Sequence, residues 1–117
     1  MARSTGLGPL LKRGDVCWYT FPAPNKRRPV LILTRDSAIA VLNSVTVAPI
    51  TSTIRSIPTE VLLTTDDGLP DTCAANLDNI QTVPKANISA PITHLSASKM
   101  KAAAGAIGFA LGLDTNA

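Results

Sequence analysis

Apolar residues in this chain fall into short runs separated by turn residues, which is the pattern of strands rather than of helices. Asp15 to Thr20 (DVCWYT) follows the turn signal Arg13-Gly14 and predicts a first strand. Phe21 to Arg28 contains Pro22, Pro24 and Asn25 and reads as a loop. Pro29 to Thr34 is a continuous apolar run of strand length, the signature of burial on both faces. Asn43 to Ile50 is β-branched, with Val45, Val47 and Pro49 on alternate positions, and the small hydroxyls of Thr51 to Ser56 end it as a loop. Thr59 to Thr64 (TEVLLT) predicts a further strand, closed by the turn chemistry of Asp66-Asp67-Gly68-Leu69-Pro70. Cys73 to Val83 alternates loosely as a polar strand pair, and Ile88 to Leu95 adds a last short strand.

Only the C-terminal end carries a helical pattern. Ser96 or Ser98 can cap a helix whose stripe is Met100, Ala103, Ile107 and Leu111. No repeat or linker divides the chain. The sum is a small, mostly antiparallel β-barrel closed by one helix. With 117 residues it is expected to be a single domain over 1–117, in which 1–11 form a flexible N-terminus.

Composition narrows the function. Hydrophobic residues make up 45% and charged ones 16%, which marks a globular chain. Aromatics at 3% are too few for a base-stacking platform of the RNA-recognition-motif type. The net charge of +3 favours an anionic partner, and its distribution says more. Lys12, Arg13, Lys26, Arg27, Arg28, Arg35 and Arg55 all lie in the first half. Cys17 and Cys73 form no CxxC and have no His at ligand spacing, so neither a metal site nor a cofactor is expected. Cys17 reads as a small buried hydrophobe. The N-terminus has no signal-peptide pattern, and the apolar stretch from Ala102 to Leu113 is short of the roughly 20 residues of a bilayer span. A cytoplasmic protein with no membrane partner is the expectation.

The best place for chemistry is Lys26-Arg27-Arg28-Pro29, a basic cluster running into the buried strand. It sets a guanidinium at the rim of a rigid sheet, where a phosphate can be held. Taken alone, Arg28 reads equally as a surface cation beside an edge strand. Thr51 alone reads as a turn residue.

Five motifs in order change that balance. They are Arg13-Gly14-Asp15-Val16-x-Trp18, Arg28-Pro29-Val30-Leu31-Ile32-Leu33-Thr34, Val47-x-Pro49-Ile50-Thr51-Ser52, Pro58-Thr59-Glu60-Val61 and Asn76-Leu77-Asp78-Asn79-Ile80-Gln81-Thr82-Val83-x-Lys85. Together they resemble the MazF/PemK toxins of bacterial toxin–antitoxin systems, from residue 12 to about 112. The resemblance implies an SH3-like antiparallel β-barrel with a C-terminal helix, a homodimer, and sequence-specific cleavage of single-stranded RNA without metal. It also implies inhibition by a cognate MazE-like antitoxin. By position in the motifs, Arg28 matches the family's catalytic arginine and Thr51 its catalytic threonine.

Elementary chemistry is consistent with that assignment. Metal-free strand cleavage uses the ribose 2′-OH as nucleophile and leaves a 2′,3′-cyclic phosphate and a 5′-OH. It needs charge stabilisation on the phosphorane and help with proton transfer. His94 is the single histidine, so a two-histidine scheme is ruled out. Two-metal transfer needs clustered carboxylates, whereas Asp66-Asp67 falls in a turn that reads as solvated. A cationic fork plus a hydroxyl remains. Arg28 is assigned to transition-state stabilisation and Thr51 to positioning the scissile phosphate; the general base stays open.

Lys26, Arg27 and Arg55 read either as phosphate contacts or as solvated charge. Ser52 and Thr53 can pair with bases or close their loop. Asn79 and Gln81, with Asn76 and Asp78, can read bases or satisfy backbone groups, and Lys85 completes the candidate RNA-binding set. Trp18 reads as core or dimer interface, His94 and Glu60 as structural. One departure stands out. Many family members carry an acidic or amide residue and a Gly before Arg-Pro, whereas the loop here is the shorter Pro22-Ala23-Pro24-Asn25-Lys26-Arg27. Two other classes share the fold: gyrase-poisoning toxins of the CcdB type, and non-catalytic SH3-like interaction modules.

Overall fold

Seven short strands and a C-terminal helix form the protein in a computed structural model, which describes residues 10–22 and 27–113. The strands are β1 (Asp15–Thr20), β2 (Arg27–Ile32), β3 (Ser44–Thr51), β4 (Glu60–Leu63), β5 (Cys73–Asn76), β6 (Gln81–Pro84) and β7 (Ile88–His94). The helices are α1 (Asp36–Ile39) and α2 (Ala97–Ala110). Every strand pairing is antiparallel, in the order β4-β5-β3-β2-β1-β7. β3 is where the sheet divides. Its first half pairs with β6 (Val47↔Gln81) and its last two residues pair with β5 (Thr51↔Ala74). This is the expected small SH3-like barrel with its closing helix, the curved sheet not being sealed edge to edge.

The continuous apolar run of β2 has the cause assigned to it. Val30, Leu31 and Ile32 are each 0% exposed, because β2 separates two cores. Leu31 joins Val16, Ile50, Leu63 and Met100 under α2. Val30 and Ile32 join Cys17, Tyr19, Val45 and Val47 on the opposite face. Burying each such side chain contributes roughly 1.5–3 kcal/mol, so β2 and β3 are the rigid centre of the molecule. Cys17 is free, and burial followed by the nearby Asp15 charge pushes its thiol up to about 11. It stays a protonated, inert hydrophobe, as expected.

Several boundaries differ from the sequence reading. β2 begins at Arg27, not Pro29, because the β1 ladder continues through Trp18↔Pro29, Tyr19↔Arg28 and Thr20↔Arg27. Arg27 and Arg28 are therefore strand residues rather than loop residues. Thr51 likewise ends β3 instead of opening the loop, held by its pairing with Ala74. The polar segment 73–83 splits into β5 and β6 around a 3-10 turn, Leu77–Asn79. Asn76 accepts from Asp78 N at 3.0 Å and Asp78 accepts from Thr59 Oγ1 at 2.6 Å, so these two side chains build that turn. The four-residue α1 carries too little periodicity to be foreseen. Asp36 at its start accepts from Arg13 N at 2.7 Å, and Lys85 Nζ donates to Ile39 O at 2.7 Å at its end.

The α2 cap is Ser96, whose Oγ accepts from Lys99 N at 3.2 Å. Met100, Ala103 and Ala106 are buried and Ile107 packs beside them. Leu111 does not continue the stripe; it lies past the last helical residue and is 54% exposed. In the Asp66-Asp67 turn only Asp66 is solvated. Asp67 accepts from Thr64 N at 2.9 Å in a capping box and lies 3.6 Å from Lys99 Nζ. Gly68 follows at φ 95°, and an added Cβ there would strike the Thr93 side chain. No helix among the described residues is long and apolar enough to cross a membrane.

Candidate active site

The register across four strands assembles the site. Val30↔Pro49, Leu31↔Ala48 and Ile32↔Val47 fix β2 against β3 with residue numbers that sum to 79. That ladder ends at Val30↔Pro49, so Arg28 on β2 and Thr51 on β3 lie two residues beyond it, at the same end of neighbouring strands. Thr51 pairs with Ala74 on its other side, and Arg28 pairs with Tyr19. These residues form a row along one end of β5, β3, β2 and β1, where a cation and a hydroxyl from distant parts of the chain share one cavity.

A cavity of about 450 Å³ opens beside this row and is lined by Arg27, Arg28, Thr51 and Ser52. Its volume is that of a small-molecule site. Arg28 is half-buried, and among the described residues no carboxylate pairs with it. A planar cation without a protein counter-ion is available to an external anion in a bidentate contact. Thr51 is constrained differently. Its Oγ1 already accepts from Thr53 N at 3.1 Å, which fixes the oxygen and leaves the hydroxyl proton to donate outward. The loop behind it is set by Glu60, whose Oε1 accepts from Arg55 N at 2.8 Å and Ser56 N at 3.1 Å. Glu60 is structural, as expected.

Of the two readings of Trp18, core or dimer interface, the structure excludes the core. Trp18 is half-buried in the cavity wall, with the Arg27 guanidinium 4.3 Å above its ring. Trp18 and Arg27 are diagonal neighbours in the β1–β2 register, which is within reach of an aromatic and a long side chain. The contact is a cation–π pair that holds Arg27 over the cavity mouth. The sequence reading also missed the far wall. Leu69 and Pro70, which it treated as turn chemistry alone, and Asp71, which it did not single out, line the same cavity. Cys73 is there too, its thiol raised by burial first and then by the charges of Asp67 and Asp71.

The remaining candidates scatter. Lys26 lies outside the described residues, as do residues 1–9 of the N-terminal segment. Thr53 and Arg55 are exposed on the loop after β3 and do not line the cavity. Gln81 sits opposite Val47, four residues along β3 from Thr51, or roughly 13 Å at strand spacing. Asn79 is exposed on the turn before it. Lys85 lies beyond the far end of β3, where its ammonium is engaged by α1. His94 is exposed, and its Nδ1 shares a hydrogen bond with Asp15 Oδ1 at 2.8 Å on the opposite flank of β1. Among the described residues no group of three or more His, Cys, Asp or Glu is placed to hold a metal ion.

Comparison with known proteins agrees with this layout. The family described as PemK-like, MazF-like toxin of type II toxin-antitoxin system matches residues 12–111. Endoribonuclease MazF3 of Mycobacterium tuberculosis is 46% identical over 90 residues, covering 77% of this chain and 87% of the relative. The solved structure of Mycobacterium tuberculosis toxin MazF-mt6 superposes with a TM-score of 0.79 at 41% identity, covering 86% of this chain and 98% of that one. An endoribonuclease in complex with its cognate antitoxin, from a mycobacterial species, superposes with a TM-score of 0.78 at 27% identity over 88% of this chain and 96% of its own. With a family match over residues 12–111, the chain belongs to the PemK-like, MazF-like toxins of type II toxin–antitoxin systems.

Proposed function

We propose that this toxin is an endoribonuclease that cuts single-stranded RNA at a short sequence motif without metal, and that a MazE-like antitoxin inhibits it. The observation that carries this reading is that Arg28 and Thr51, from the same end of β2 and β3, line one open cavity. The relatives named as endoribonucleases support the reaction class, and the relative solved with its cognate antitoxin supports the partner. A homodimer is part of the same reading.

In the mechanism, the 2′-oxygen of the ribose forms a bond to the adjacent phosphorus as the P–O5′ bond breaks. The products are a 2′,3′-cyclic phosphate and a 5′-OH. Negative charge concentrates on the non-bridging oxygens of the phosphorane, where a preorganised cation is worth most. Arg28 meets those oxygens with its two-pronged guanidinium, and Thr51 donates its remaining hydroxyl proton to one of them. Because a neutral hydroxyl is a very weak base, Thr51 positions the phosphate rather than taking the 2′-OH proton. Arg27 and Ser52 hold the flanking backbone, with Arg55 and Thr53 on the next loop. Asn79, Gln81 and Lys85 belong to a more remote part of the RNA path.

The test is direct. Purified protein incubated with single-stranded RNA and excess chelator is expected to give fragments with 5′-OH ends at a recurrent motif. Intact RNA, or fragments bearing 5′-phosphates, would overturn the proposal.

A further inference from the structure

The cavity is polar in a directional sense. At its β1–β2 side stand two cations, Arg27 and Arg28, and at its β5 side stands one carboxylate, Asp71. A phosphate is drawn to the first side and repelled from the second. A nucleotide held by Arg28 and Thr51 therefore turns its base, not its neighbouring phosphate, toward Asp71. The wall there suits a base, since the exposed Pro70 offers apolar surface to a ring face with the buried Leu69 beside it. Leu69 is 3% exposed and anchored in the core, so this wall is fixed. An ionised carboxylate has acceptors only, and the complement on a base edge is an amino group.

We propose that Asp71 is a specificity-determining residue that accepts a hydrogen bond from the exocyclic amino group of a base flanking the cut, selecting cytosine, adenine or guanine against uracil at that position. The inference rests on the ribonuclease reading above and adds to it the chemistry of recognition. Uracil carries no amino group, and its one edge donor, N3–H, lies between two carbonyl oxygens that repel a carboxylate. Discrimination of about ten-fold or more is expected from one such contact.

The experiment compares wild type with Asp71→Asn and Asp71→Glu on a random-sequence RNA pool, followed by sequencing of fragment ends. It then measures kcat/KM on two defined RNAs that differ only by cytosine or uracil at the flanking position. Thermal unfolding of each variant checks that the fold is retained. Wild type is expected to favour an amino-bearing base beside the cut. Asp71→Asn, which can both donate and accept, is expected to shrink that preference about ten-fold, and Asp71→Glu to keep most of it. A wild type that prefers uracil at both flanking positions, or an Asp71→Asn profile identical to wild type, overturns the assignment of Asp71. A wild type that cuts no RNA overturns instead the ribonuclease reading beneath it.

Discussion

Arg28→Ala is expected to lower the rate of RNA cleavage about 1,000-fold while leaving the fold intact. The size follows from what is removed. A charged donor aimed at developing phosphorane charge in a partly desolvated cavity is worth about 4 kcal/mol of barrier, which is three orders of magnitude in rate. The stability cost is expected to stay within about 0.5 kcal/mol, because the Arg28 side chain is half-buried and pairs with no carboxylate among the described residues. Arg28→Lys keeps the charge but loses the planar fork, and is expected to recover only part of the rate. Single-turnover kinetics and thermal unfolding on the three proteins check both halves. If the CcdB-like gyrase reading were right, Arg28 would be dispensable and the toxicity of the variant unchanged.

Thr51→Ala is expected to cost about 100-fold in the same assay, the loss of one positioned donor. The variant also deprives Thr53 N of its acceptor, but that amide is exposed and turns to water at little cost. Thr51→Ser discriminates between two roles for the side chain. If the hydroxyl is what counts, Ser restores most of the rate. If Thr51 acts only through its β-branched fit at the end of β3, Ser is as poor as Ala. The hydroxyl account predicts near-recovery by Ser and none by Thr51→Val, an isostere without the donor.

Much of this fold can be read from the sequence because its signals are local. The double-faced burial of β2 is written in Pro29-Val30-Leu31-Ile32, and Gly68 marks its turn without tertiary help. The Ser96 cap is equally plain. What escapes is set by pairing. Arg27 and Arg28 look like loop because Pro22, Pro24 and Asn25 precede them, yet the partner residues Tyr19 and Thr20 hold both in the sheet. The four residues of α1 depend on Asp36 meeting a backbone amide 23 positions away. Leu111 fits a helical stripe by spacing, but the helix has already ended.

The site divides in the same way. Arg28 and Thr51 are legible only through their motifs, since neither residue carries chemistry by itself. Their meeting in one cavity is a property of how β2 and β3 pair, which the sequence leaves implicit. Trp18 could not be placed from composition, because its half-buried position depends on Arg27 lying over the ring. Leu69, Pro70 and Asp71 are about twenty residues past Thr51 in the chain and converge on it only because β5 returns beside β3. The carboxylate of this cavity arrives with them, at the β5 side.

The most direct test of the central claim is a single atom on the substrate. An RNA containing the mapped motif is synthesised with a 2′-deoxy ribose at the one nucleotide whose 2′-OH would attack, and compared with the all-ribose RNA in the presence of chelator. The row of Arg28 and Thr51 holds and stabilises the phosphate but supplies no nucleophile, so the deoxy substrate is expected to bind and remain uncut. Cleavage at that position at the all-ribose rate would contradict the account.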